Sequence, residues 1–194
     1  MGRWLMALML VMLSSLATRA AEAYACYTPA NTTLTFYYDD LRSSRTGTTY
    51  DLNEGARQPD WVIDETNSQI TQVVIDPSFV DARPTSTCAW FFCMEHVQSI
   101  TGLNYLNTES VTNMGAMFMG STGLMSLDLS HFNTTAARDM FNMFNECSNL
   151  TSLDVSSCLL CATVSGTTSS DVLPDLPRSS GTVISINKNL ISFY

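Results

Sequence analysis

The chain repeats itself between residues 90 and 157, and that repetition restricts its fold more than any other feature. Phe118 recurs as Phe144, Leu124 as Leu150, Leu127 as Leu153, Asp128 as Asp154 and Ser130 as Ser156, all five pairs at one identical interval. A looser copy precedes them, with Phe91, Val97 and Ile100 in the places of Phe118, Leu124 and Leu127, one residue further away. Past a one-residue slip around Gly102, the residues Leu106, Asn107, Thr108, Val111, Met114 and Met117 fall into step with Phe132, Asn133, Thr134, Ala137, Met140 and Met143. Self-similarity at this period points to units that stack and bury a shared core, because one unit alone cannot cover its apolar face.

Each unit carries two hydrophobic rhythms. Leu127 and Leu129 alternate with Ser126, Asp128 and Ser130, the pattern of a short strand with one wet face. The Asn133-Thr134 pair marks a turn, with Thr134 placed to cap a helix. Ala137, Met140, Met143 and Phe144 follow at the spacing of one helical face, as do Val111, Met114, Met117 and Phe118 one unit earlier. The expected fold class is therefore α/β: a leucine-rich-repeat-like right-handed solenoid, one short strand and one short helix per coil, behind a β-rich N-terminal cap. The methionines, at helical spacing, belong to its core rather than to an adaptable binding surface.

The run "LxxLDLSxFxT…MxxMFxxCxxLxxLDVS", with "LTFYYDDLRSSRTGTTYDLN" and "DPSFVDARPTST" upstream, resembles the BspA-like leucine-rich-repeat surface proteins of anaerobic, often host-associated bacteria. The resemblance covers about residues 24–157. It implies a secreted or surface-exposed protein engaged in adhesion or in binding host proteins.

Four segments are expected along the chain. Residues 1–25 read as an export signal: Arg3 supplies positive charge, residues 4–16 are apolar, and Ala21-Glu22-Ala23 and Ala23-Tyr24-Ala25 fit a small-residue cleavage rule. The apolar run is too short to span a bilayer. Cleavage after Ala25 would expose Cys26 for lipidation, but Ala23 rather than leucine stands three residues before it, and simple export is the preferred reading. Residues 26–88 form the cap. Here residues 34–38 make a strand, residues 48–52 its hairpin partner across a polar loop, and residues 70–75 a third strand stopped by Asp76-Pro77, with Trp61 and Phe79 as apolar plugs. Residues 89–157 are the repeats. Residues 158–194 lack the repeat pattern and read as a Ser/Thr/Gly/Pro-rich, poorly ordered tail with one strand at residues 183–186. The tail is either an unorthodox C-terminal cap or the mark of a truncated or shifted reading frame, and the second raises the alternative of an inactive relative of a longer repeat protein.

Net charge is −9, and removing the export segment strips two arginines. Acidity of this degree argues against nucleic acid and against an anionic membrane surface as partners. Cys158 and Cys161 have C-x-x-C spacing, and Cys88 and Cys93 flank an aromatic run, but the two pairs sit at opposite ends of the repeats and cannot share one metal. A local disulfide between Cys158 and Cys161 is the remaining option in an oxidising destination. Asp39, Asp40, Asp51 and Glu54 read as a solvated turn. His96 and His131 are the only histidines, and neither lies in a hydrolase or metalloprotease motif, so a hydrolase is a third reading without a signature. The reading assigns no catalytic residue, no cofactor and no metal. The candidate partner-binding face is the wet row of the strands: Ser99, Thr101, Ser126, Asp128, Ser130, Ser152, Asp154 and Ser156. Its partners would be host or bacterial surface proteins or glycans.

Overall fold

The computed structural model describes residues 19–157 and 183–186. Among the described residues eight strands organise it: β1 (Glu22–Thr28), β2 (Thr33–Asp39), β3 (Thr48–Asp51), β4 (Gln72–Ile75), β5 (Ile100–Thr101), β6 (Ser126–Asp128), β7 (Ser152–Val155) and β8 (Val183–Ile186). The first five form a mixed sheet in the order β3-β1-β2-β4-β5, and the last three a parallel sheet in the order β6-β7-β8. Among the described residues the one α-helix is α1 (Asp60–Ile63), a single turn.

The N-terminal sheet differs from expectation in two ways. Residues 48–51 pair with β1, not with β2, so β1 is the middle of the antiparallel part. β1 itself begins at Glu22, inside the segment assigned to export, and Tyr24 and Ala25 are fully buried in it. The polarity then changes: β2 runs parallel to β4, and β4 parallel to β5. Asp76 ends β4 as foreseen, its carboxylate accepting from the Ser78 amide to open the 3-10 turn Pro77–Asp81. Trp61 and Phe79 are both fully buried.

The strand-plus-helix solenoid is overturned. The molecule is built of strands in a mixed sheet with almost no helix, and within residues 89–157 the only regular helical turn is the 3-10 segment Leu103–Tyr105. The reason lies in the backbone of the segments that carry the Met-x-x-Met-Phe pattern. Ala89, Ala116 and Asn142 occupy one equivalent position with φ of 56°, 52° and 56°, and Cys93, Gly120 and Glu146 another with φ of 50°, 71° and 60°. A left-handed residue at every fourth position stops an α-helix from propagating.

The amides accordingly divide their bonds. Met117, Met119 and Ser121 donate three residues back, to Met114, Ala116 and Phe118. Met114, Ala116, Phe118 and Gly120 donate instead across to Asp139, Phe141, Met143 and Asn145, at 2.8, 2.8, 2.9 and 2.8 Å. Thr87, Ala89, Phe91 and Cys93 do the same toward Asn113, Gly115, Met117 and Met119. Thr134 is not a helix cap; it is a fully buried residue in the turn after β6. The apolar spacing taken for a helical face is met by consecutive turns, which still send Met114, Met117, Phe118, Met140, Met143 and Phe144 inward.

Equivalent residues meet one unit away. Leu127 pairs with Leu153 between β6 and β7, and bridges join Ser86 to Asn113 and Asn113 to Asp139. Phe91 stacks on Phe118 (centroids 5.3 Å apart) and Phe118 on Phe144 (5.7 Å). The column continues into the N-terminal sheet, where Phe36 stacks on Trp90 at 4.8 Å and meets Trp61, Phe79 and Phe91 edge-on. Sheet and repeats therefore share one core. The extra residue of the first unit is absorbed by the 3-10 turn. Gly102 enters that turn at φ 74°, with no room for a Cβ against the Ile75 carbonyl.

Candidate functional site

The exposed rows of the parallel strands are fixed by what alternates with them. Leu127, Leu153 and Val155 point into the core, so Ser126, Asp128 and Ser152 point out. Register places Ser126 beside Ser152 and Asp128 beside Asp154, the latter half-buried. Ser99, just before β5, and Thr101 within it are also exposed, and Thr101 sits beside Val74 of β4. Ser130 and Ser156, which follow the strands, are half-buried.

The predicted row is interrupted and partly spent on structure. No strand pairing joins β5 to β6; a single amide bond from Met125 to the Gln98 carbonyl, 3.2 Å, links their approaches. Asp128 and Asp154 are turn-makers, each accepting the amide two residues on, from Ser130 at 3.0 Å and Ser156 at 2.9 Å. Hydrogen bonds from the Ser130 hydroxyl and amide hold the Asp128 carboxyl below the usual range, with a further contribution from the nearby His131.

Three depressions flank this row. One of about 370 Å³ lies over β4 and β5, between Gln72, Val74, His96, Gln98, Ser99 and Thr101. A second, about 240 Å³, lies between Ser99, Asn104, Ser126, Asp128 and His131. A third, about 270 Å³, lies beyond His131, toward Tyr105, Asn107, Glu109 and Asn133. His131 forms the wall between the last two, its Nε2 donating to the Leu103 carbonyl at 2.8 Å and its ring set edge-on against Phe132. His96 is exposed in the first depression. Among the described residues, no three His, Cys, Asp or Glu side chains are grouped to hold a metal ion. Four of the cysteines, Cys26, Cys88, Cys93 and Cys147, are free thiols. Cys158 and Cys161 lie outside the described residues, as do residues 1–18 of the expected export signal and most of the expected tail. Among the described residues, no helix is long and apolar enough to cross a membrane.

Several structural residues escaped the sequence reading. Asn113 and Asp139 each accept the amide two residues on, and Ser86 does so for Cys88; Asn107 and Asn133, in the turn the sequence marks, do the same, so a polar turn-maker recurs at fixed places in each unit. Thr108 is buried and ties two units together, donating to the Asn133 carbonyl and accepting the Asn133 amide. The signal was present as Asn and Asp recurring in step with the leucines.

A family model described as "Mycoplasma protein of unknown function, DUF285" matches residues 87–163. The match covers the repeats and leaves out strands β1 to β4. No curated protein and no solved structure matches the chain.

Proposed function

We propose that the chain is an exported, non-catalytic binding module, secreted or held at a bacterial surface, that engages a protein or glycan partner along the outer face of β4–β7. The observation that carries this reading is the in-register row of exposed Ser126, Ser152 and Asp128 with half-buried Asp154, beyond which, across the break between β5 and β6, Ser99 and Thr101 are also exposed. Such a row can change its side chains without touching the leucines behind it, which makes an extended polar surface suited to recognition. The resemblance to BspA-like surface proteins supports the same reading. Ser126 and Ser152 are the residues to alter, since both are exposed and neither side chain holds a turn. The full chain is titrated against an array of immobilised extracellular proteins and glycans. Ser126→Arg and Ser152→Arg should each weaken whatever binds at least tenfold while the melting temperature stays put. Binding indifferent to both substitutions, or no binding across the array, overturns the proposal.

A further inference from the structure

We infer that the depression over β4 and β5 is a subsite for an uncharged oligosaccharide. This inference rests on the binding-face reading and specifies the chemistry of one part of that face.

The hydrogen-bonding capacity of the site is largely unspent. The Gln72 carbonyl oxygen accepts from the Thr33 hydroxyl at 3.3 Å, and the Thr71 hydroxyl is engaged by Thr32 at 2.5 Å. Among the described residues, the Gln72 amide nitrogen, the Gln98 amide, the Ser99 and Thr101 hydroxyls and the His96 ring have no hydrogen-bond partner in the structure. Gln98, Ser99, Thr101 and His96 are exposed, so these groups face water and are free to exchange it for a ligand. An amide offers an acceptor and two donors in one plane, and a hydroxyl offers both roles, so the set matches neighbouring hydroxyls that are themselves donor and acceptor. Half-buried Val74 provides an apolar floor for the C–H face of a sugar ring.

Charge excludes the competing ligands. Among the described residues, no Asp, Glu, Lys or Arg lines the depression, although the chain as a whole carries −9. A phosphate, sulfate or carboxylate would lose hydration there without meeting a lysine or arginine, with the single His96 ring as its only basic contact, and would be repelled by the net charge. A cationic ligand would find no carboxylate to pair with. At β4 both edges are occupied, by β2 and by β5, so a peptide strand could add only along the outer edge of the two-residue β5. The volume, about 370 Å³, is of the size that holds one or two sugar rings.

The full chain is titrated by calorimetry with chitohexaose and maltohexaose as neutral probes, and with sialyllactose and a heparin hexasaccharide as acidic ones. At least one neutral probe should bind. Gln98→Ala and Thr101→Lys should each weaken it tenfold or more without shifting the melting temperature, while Glu54→Gln, exposed and outside the depression, leaves it within twofold. Preference for the acidic probes, neutral binding untouched by both groove variants, or no neutral binding overturns the subsite. If the sugars fail while a macromolecular partner is lost through Ser126→Arg and Ser152→Arg, the subsite falls and the wider face stands. If neither kind of partner binds, both fall.

Discussion

Phe144 lies parallel to Phe118, ring centroids 5.7 Å apart and planes within 4°, although a full repeat of sequence separates them. Phe118 is also stacked on Phe91, so its two faces are both covered by the equivalent ring of a neighbouring unit. Phe118→Ala removes the middle of the column and should cost about 3–5 kcal/mol, with Phe118→Leu costing less. Urea denaturation of the two variants measures the difference. A double variant with Phe144→Ala should lose less than the sum of the single losses, because the two rings are in contact.

Asn53 ties the N-terminal sheet to the first unit. Its side-chain oxygen accepts from the Trp90 indole at 2.6 Å, and its nitrogen donates to the Cys88 and Arg57 carbonyls at 3.1 and 2.6 Å. Trp90 is fully buried, and Trp61 donates in turn to the Trp90 carbonyl at 3.0 Å. Asn53→Leu strands the indole N–H, at about 1–3 kcal/mol for each buried polar group left unpaired. Thermal unfolding should show a lower midpoint for Asn53→Leu than for a substitution at exposed Glu54.

Stability should fall in acid through Asp39. Burial alone would raise its carboxyl pKa. Hydrogen bonds from the Tyr24 hydroxyl (2.6 Å) and the Leu41 amide, with the Arg45 ion pair, outweigh burial and hold it below the ordinary value. A carboxylate with a depressed folded pKa contributes stability in full above its unfolded pKa of about 3.9, and loses it as pH falls through the folded value. Melting temperatures recorded from pH 6 down to pH 2.5 should drop for the native chain below about pH 4. The drop should be shallower for Asp39→Asn, which starts lower at pH 6.

Cys147 should be interchangeable with serine. Its thiol donates to the Phe118 carbonyl at 3.1 Å, and Ser121, one unit earlier, makes the same bond to the Phe91 carbonyl. Cys147→Ser should therefore leave the melting temperature nearly unchanged, whereas Cys147→Val removes the donor and leaves that carbonyl unpaired. Burial pushes the Cys147 thiol up to about 12. In the native chain at pH 8 it should resist alkylation, while half-buried Cys93 reacts first among the four described cysteines, as read by mass mapping of the labelled peptides.

The start of β1 makes Tyr24 and Cys26 unequal as first residues of a shortened chain. Tyr24 and Ala25 are fully buried, and the Tyr24 hydroxyl donates to Asp39 and accepts from Arg45. A chain beginning at Tyr24 keeps these contacts, whereas one beginning at Cys26 loses them from the middle strand of the antiparallel part of the sheet. Residues 24–194 should unfold at a higher temperature than residues 26–194, by several degrees in circular dichroism. Equal midpoints would show that Tyr24 and Ala25 are dispensable.

The sequence displayed which residues are equivalent better than it displayed what backbone they adopt. Leucine at 127 and 153, with polar neighbours on either side, made short strands readable from alternation alone. The Met-x-x-Met-Phe stretch misled, because three-residue turns and α-helices bury side chains at nearly the same spacing. What separates them is where the amides bond, and those partners lie a whole unit further along the chain. Ala116 and Asn142 hold left-handed conformations without glycine, so no local marker announced them. β1 was hidden for another reason: Ala23 and Ala25 satisfy a small-residue rule and also pack in a strand. Of the face residues, Ser99, Thr101, Ser126, Asp128 and Ser152 are exposed while Ser130, Asp154 and Ser156 are half-buried, and the carboxylates of Asp128 and Asp154 could not be known as turn-makers until their serine amides were seen.

Because alternate amides of residues 87–93 and 114–120 are donated to the next unit, the units can change in number only by whole lengths. Deleting one entire unit between equivalent points would rejoin each donor to an acceptor of the same kind, with leucine still behind serine. A deletion one residue short of that would put Ser126-type residues where Leu127 belongs and send the phenylalanine column to the outside. Duplication or loss in such a gene is thus filtered by hydrogen-bond parity: copies drift freely in their outward residues, yet hold their spacing wherever no turn can take up the slack, as the one at Leu103–Tyr105 does.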